Sequence, residues 1–415
     1  MRTALRMVVL VAVGVLILPG CGDPSRVTSV DTLFFKTATG VAVLDAGAAA
    51  PTFRGGNAIP SSDWSTVVRS VARRATTRVT AVDPHSGFTR WKREIDGSFR
   101  TKIVSPDGSL VAMGPTDERF YRDGRSRTQL VIEGSRMARP HGIVLPGNYE
   151  PEAFSTDGKS LFVIRYLPAR APTSYQVRRL DLTTEQVEAV YTPDAHLQEA
   201  MGGTARIQAA SPDGRRLYTL YTLEDLDGNP RAFIHVLSLD ELWAHCVDLP
   251  AEFAAMPEKA TAITVSPDNQ RIFVANSAAD LIAEIDASSL EVTRTAGVTI
   301  GSSRKSYALH DGASTLFLAG AQEVLALDIS ADFEITRSWN LFAEITGLQL
   351  GAEGRRIYAA LKDRLVLIDP LREEVVRELD PPGVRVIKEF GPTMPSPIVT
   401  PPPSEDDSGK FTCAC

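Results

Sequence analysis

Cysteine is scarce: Cys21, Cys246, Cys413 and Cys415 are the four in a chain of 415 residues. No disulfide framework can be drawn from them, and a chain this long does not need one to build a core. Long apolar runs are scarce too. The run Met7 to Leu18 has twelve residues, about 18 Å as a helix against a hydrocarbon core of roughly 30 Å, which argues against a permanent membrane span. Excess positive charge is lacking. Forty-four Lys and Arg face fifty-one Asp and Glu, for a net charge of -7, so composition supplies no concentrated basic face for phosphate neutralisation and nucleic acid is not expected as a partner. Also missing are an H-E-x-x-H zinc pattern, a G-x-S-x-G elbow, a P-loop and an adjacent Cys-Cys pair. With 43% hydrophobic and 23% charged residues, the composition is that of a globular protein.

What is present begins with a leader. Arg2 and Arg6 precede the apolar run, which ends in Leu18-Pro19-Gly20-Cys21, the order of an export signal. The ending resembles the bacterial lipobox through Leu18, Gly20 and Cys21, with Pro19 departing from it. The resemblance implies lipidation at Cys21, a signal peptide over 1–20 and a mature chain held to a membrane by acyl chains, each buried methylene contributing about 0.8 kcal/mol. Gly22, in place of Asp after the lipid-bearing Cys, implies by the same resemblance sorting to an outer membrane where the host has one. The expected location is the cell envelope, beyond the cytoplasm.

The next signal is repetition. Ser105-Pro106-Asp107-Gly108, Ser155-Thr156-Asp157-Gly158, Ser211-Pro212-Asp213-Gly214 and Ser266-Pro267-Asp268-Asn269 each sit between two apolar strands. Pro presets a turn dihedral, Asp bonds its own backbone two residues on, and Gly or Asn accepts positive φ, so each is a hairpin. Degenerate copies lie at His310-Asp311-Gly312 and Glu353-Gly354; the acidic anchors are 50, 56, 55, 43 and 42 residues apart, the period of propeller blades. A third strand ending in Asp follows at Val177 to Asp181, Ile282 to Asp286, Val324 to Asp328 and Leu365 to Asp369, then a more polar fourth such as Glu291-Val292-Thr293-Arg294 or Glu374-Val375-Val376-Arg377. No long amphipathic helix is legible, although Asp240 to His245 could form one turn. Two weaker units, around Leu33 to Asp45 and Thr66 to Asp83, the second without a hairpin signature, bring the count to eight blades, or seven if one is a long insertion.

These hairpins resemble the β-propeller repeats of the TolB and YVTN types. The fold expected is therefore all-β, a propeller of four-stranded antiparallel blades over 31–390, with Val384 to Phe390 closing the first blade. Residues 21–30 are a linker, and the Pro-rich and acidic 391–415 is expected to be a disordered tail. Cys413 and Cys415 there allow a small disulfide ring, a soft-metal site or plain tail thiols. Cys246 reads as a small buried hydrophobe.

Candidate site residues are few. Ala81-Val82-Asp83-Pro84-His85-Ser86-Gly87 through Trp91 is similar to the quinoprotein propeller repeat, which implies a Trp91 that docks one blade on the next. Asp225, Asp227 and Asn229 alternate as calcium ligands do, but Val236 stands where a twelfth-position Glu is needed; a long hairpin explains the same residues. Of six histidines, His141 and His196 are placed in inter-strand loops. The pairs Arg178-Arg179, Arg215-Arg216 and Arg355-Arg356 read as solvated charges. No catalytic residue, metal or cofactor is assigned. The function expected is a lipid-anchored binding or scaffold module for an envelope protein or polymer, as in the lipoprotein propeller of the outer-membrane barrel assembly machinery, which it resembles in architecture; a propeller enzyme of lactonase or quinoprotein dehydrogenase type is the alternative. Fractionating cells that carry Cys21→Ser is expected to release the protein from the membrane; wild-type chain recovered in the cytosol with its leader attached would refute the anchor.

Overall fold

The computed structural model describes residues 31–395 apart from 38–39, 47–50, 52, 57, 117–123, 194–200, 225–227, 255–259, 302–305, 353, 363, 372–373 and 380–386. The leader, Cys21, Cys413 and Cys415 lie outside the described residues, as do His196, Asp225 and Asp227. The regular structure among the described residues is β-strand but for one 3-10 turn, Ala251–Ala254; the segment from Asp240 to His245 is a turn leading into the strand Ala244–Leu249.

The strands form eight four-stranded antiparallel sheets, each with neighbours in chain order except the first. These are the blades of a propeller. The inner strands of blades two to eight are Ala58–Pro60, Phe99–Val104, Asn148–Phe154, Thr204–Ala210, Thr261–Val265, Ser306–His310 and Ile345–Leu350. In blade one that place is taken by Ile387–Pro395, antiparallel to Asp31–Thr37. The last strand thus completes the first blade, with Phe35 edge-on to Phe390 at 6.3 Å, and runs to Pro395, past the point where the sequence turns Pro-rich.

A blade has two apolar faces, so its middle strands read as unbroken hydrophobic runs rather than as alternation. In Arg271–Asn276 every residue from Ile272 to Asn276 is buried, whereas the outermost strand of the same blade, Glu291–Gly297, alternates exposed and half-buried. Successive side chains serve opposite neighbours. Val67 packs with Phe34 and Val43 of blade one, and Val68 with Val111 and Met113 of blade three. The core is therefore divided among the eight junctions between blades, each with a cluster and the fourth-to-fifth with two; at the closing junction Leu33, Phe35, Tyr358, Ala360 and Ile387 come together.

Polar devices fix the turns. In the first full repeat Ser105 Oγ donates to Asp107 Oδ1 (2.7 Å), Asp107 Oδ1 accepts from Ser109 N (3.0 Å), and Ser105 Oγ accepts from Leu110 N (2.9 Å). Blades four, five and six repeat the set. So does blade two, which the sequence had shown without a signature: Ser61 Oγ donates to Asp63 (2.6 Å), and Asp63 accepts from Ser65 N (3.0 Å). The signature was hidden because Trp64 stands where Gly is expected, at φ 56°. A non-Gly residue there costs about 1–2 kcal/mol; the ring offsets this by burial, 5% exposed and edge-on to Phe34 at 5.9 Å.

Arginines tie blades together. Arg294 of blade six donates to Ile329 O of blade seven (2.9 Å) and lies 4.2 Å from the Phe333 ring, while Glu284 holds it from behind (2.5 Å). Arg337 makes the equivalent bond from blade seven to Pro370 O of blade eight, and Arg216 from blade five to Ala287 O of blade six. Each acceptor directly follows the Asp that ends a third strand. At least one member of each arginine pair read as solvated is half-buried and bound: Arg178 to Gln176 (2.7 Å) and its neighbour Arg179 to Glu188, Arg216 as above, and Arg356 beside Asp31 at 3.7 Å.

The Asp anchors make folding pH-dependent. Hydroxyl and backbone donors hold Asp268, Asp286 and Asp328 below the usual carboxylate range, the Ser288 hydroxyl foremost for Asp286, which is pushed down to about 2. His235, buried among apolar side chains and beside His245, is pushed down to about 4. In the unfolded chain His titrates near ~6.5 and Asp near ~3.9. The folded state binds fewer protons than the unfolded one in both windows, so stability falls as pH drops from about 6.5 to 4 and again from about 4 to 2. The first step is worth roughly 3 kcal/mol for His235. Urea midpoints measured from pH 7 to 2 are expected to show both steps, with His235→Leu flattening the first.

Candidate functional site

The two ends of the ring differ. At one end lie the inner-to-second and third-to-fourth connections: 104–110, 154–160, 210–216 and 265–271 carry the Ser-Asp turn, and 181–187 and 286–291 carry Asp-headed turns in which Asp181 accepts from Thr183 N and Thr184 N (both 2.8 Å). At the other end lie the long connections, 115–127, 189–204 and 249–261. Long loops held by a rigid frame are where propellers carry binding chemistry.

A cavity of about 830 Å³ opens at this loop face, around the starts of the inner strands of blades two, three and four. Its polar lining includes Arg69, Ser70, Arg100, Thr101, Lys102 and Glu150. Glu150 is the pivot. It accepts from Lys102 Nζ (2.5 Å) and Arg125 Nη2 (3.1 Å), all three side chains being less than a fifth exposed. Arg125 also donates to Tyr149 O, and its backbone N–H to Ala169 O (2.9 Å), which fastens the blade-three loop to blade four. Gly124 permits that approach: its φ is 75°, and a Cβ there would lie 2.3 Å from Ala169 O.

Farther along the axis Gln208 Nε2 donates to Glu152 Oε1 (2.6 Å) and Thr219 Oγ1 (3.0 Å). Burial, with the nearby Glu150 carboxylate, raises the Glu152 carboxyl above its ordinary range. Beside the cavity a groove between blades one and two holds Arg54, Arg69, Arg73 and Arg78, with Glu94 on Arg78 at 2.8 Å.

The residues singled out in the sequence do not gather here. His141 begins the outer strand of blade three rather than lying in a loop, with Nε2 2.9 Å from Glu185. His85 is exposed in a turn, His235 is buried in blade five across from Cys246, and His310 closes the inner strand of blade seven, stacked on Phe273. Gly228 and Asn229 belong to the connection between the antiparallel strands Arg216–Glu224 and Pro230–Ser238, a long hairpin. Trp91 packs on the cluster between blades two and three. Among the described residues no group of three His, Cys, Asp or Glu could hold a metal ion. The sequence did carry a signal for the basic groove that composition averaged away: Thr66 to Val82 contains Arg69, Arg73, Arg74 and Arg78 and no carboxylate. Removing the pivot leaves two largely buried cations unpaired, so Glu150→Gln is expected to lower unfolding free energy by about 1–3 kcal/mol, read as a reduced urea midpoint, with Glu94→Gln at the exposed pair near neutral.

No family model and no curated protein matches the chain. Solved structures do. Apo AztD from Citrobacter koseri is similar at 14% identity and a TM-score of 0.55, covering 88% of this chain and 98% of that one. A second structure of Citrobacter koseri AztD gives 13% and 0.53 over the same shares. BamB from Moraxella catarrhalis gives 15% and 0.46, with 79% of this chain and 88% of that one covered, a likeness too slight to build on. At such identity the first two establish a shared fold and no activity.

Proposed function

We propose that this chain is a lipid-anchored, extracytoplasmic propeller that serves as a binding module for an envelope protein or polymer. The leader ending at Cys21 supports the location. The observation that carries the binding role is the coincidence, at one end of a closed rigid ring, of the long connections and the axial cavity, while the opposite end is occupied by tight self-satisfied turns. A frame of this kind holds the two ends of each connection at fixed positions, which lowers the cost of association.

Two exposed aromatic residues test the polarity of the module. Phe342, 85% exposed, lies in the connection 340–345 on the loop face, and Phe88, 71% exposed, lies in the turn 82–89 on the opposite face. A photocrosslinking amino acid at position 342 is expected to capture an envelope component in living cells, and one at position 88 is not. Capture at 88 alone, or at neither position, would sink the reading.

A further inference from the structure

We propose that the axial cavity at the loop face, together with the groove beside it, is a binding site for a small organic anion carrying at least two phosphate or carboxylate charges. The proposal names the ligand chemistry of the face described above and rests on that face being the binding one. Three observations carry it.

The first is segregation of charge. The chain as a whole has net charge -7. Yet six described cations, Arg54, Arg69, Arg73, Arg78, Arg100 and Lys102, line the cavity and groove; Arg78 is paired with Glu94 and Lys102 with Glu150, Arg54 and Arg100 have partners of their own, and among the described residues Arg69 and Arg73 make no ion pair. Like charges crowded on one part of a ring are unfavourable unless a counter-charge joins them, and guanidinium groups match the planar or tetrahedral oxygen sets of carboxylate and phosphate.

The second is a buried hydroxyl without a partner. Thr101 is 6% exposed and lines the cavity, and its Oγ1 makes no hydrogen bond. Such a group costs free energy until a partner arrives. Its backbone N–H is already used, donating to Ser70 Oγ (2.8 Å), so the hydroxyl is the donor left for a ligand oxygen.

The third is how the carboxylate is disposed. Glu150 is engaged by Lys102 and Arg125 and so does not neutralise Arg69, which makes no ion pair among the described residues. A volume of about 830 Å³ is that of a small-molecule site. It suits a compact anion or the charged terminus of a larger molecule.

Titration calorimetry on the full chain in detergent, with inorganic pyrophosphate, citrate and neutral sucrose at low and high salt, tests this. Binding of pyrophosphate or citrate that weakens with salt, with none of sucrose, is expected. Pyrophosphate alone points to a phosphate source and citrate alone to a carboxylate source, and either supports the site. Arg69→Ala is expected to weaken binding about tenfold or more, and Thr101→Val, which keeps the shape, about fivefold. Arg231→Ala, at an exposed ion pair on blade five, is expected to leave affinity unchanged. No anion binding by a folded chain, sucrose binding as tight as that of the anions, preference for a single-stranded DNA oligonucleotide, or equal loss in Arg231→Ala would overturn it. An anchored protein that crosslinks at position 342 but binds no anion refutes this site alone. An anion-binding protein that fails the crosslinking test refutes the module and leaves the site standing.

Discussion

A four-stranded blade is apolar on both faces and can satisfy neither by itself. Its second strand sends one side chain to the blade before and the next to the blade after, as Val67 and Val68 do, so every blade needs two neighbours, and a row of such blades has two raw ends. The ring removes them. Pairing of Ile387–Pro395 with Asp31–Thr37 does so through backbone hydrogen bonds and through Leu33, Phe35 and Ile387 packed against Tyr358. Asp31 reinforces the junction from inside, accepting from Tyr358 Oη (2.7 Å) and from Ala352 N (3.1 Å) across more than three hundred residues of chain. All eight junctions therefore depend on one pairing between the chain's distant parts, which also leaves no free sheet edge between first and last blades.

Within that constraint the polar groups divide the work. The Ser-Asp turns are local, each satisfying its own backbone N–H groups within five residues, and they set the hairpins without help from a neighbouring blade. The arginine bonds act between blades and have no local meaning. Arg294, Arg337 and Arg216 each reach a carbonyl that the next blade leaves free directly after its third-strand Asp. Charge-assisted bonds of this type are stronger than neutral ones, and because they join rigid elements they fix the angle between blades more than they add to burial.

The two ends of the ring inherit this division. Where the Ser-Asp and Asp-headed turns lie, backbone donors are used up internally and the chain has little to offer a partner. At the opposite end the connections vary in length, the inner strands begin, and cationic side chains of blades two and three line the cavity with Glu150, with Arg54 of blade one in the groove beside it. The self-satisfied turns and the cavity thus occupy different ends of the ring.

The hairpins were legible in the sequence because Ser, Pro, Asp and Gly act on the backbone within a few residues, and the third strands because doubly buried strands read as unbroken apolar runs. Their spacing implied the blades and the closing strand. The hairpin signature of blade two, though not the blade, escaped because its left-handed position is held by Trp64, whose justification is a contact with Phe34 in another blade. Arg178, Arg216 and Arg356 read as solvated since their partners, apart from Gln176, lie a blade away. Nor could spacing tell that His141 and His235 diverge, or that Arg69, Arg100 and Lys102 meet. The sequence by itself determined the turns, the strands and their period, all set by short-range torsional and hydrogen-bonding preferences. Which side chains share the axis was decided only by the tertiary structure, because ring closure brings together residues whose separation along the chain carries no information about distance.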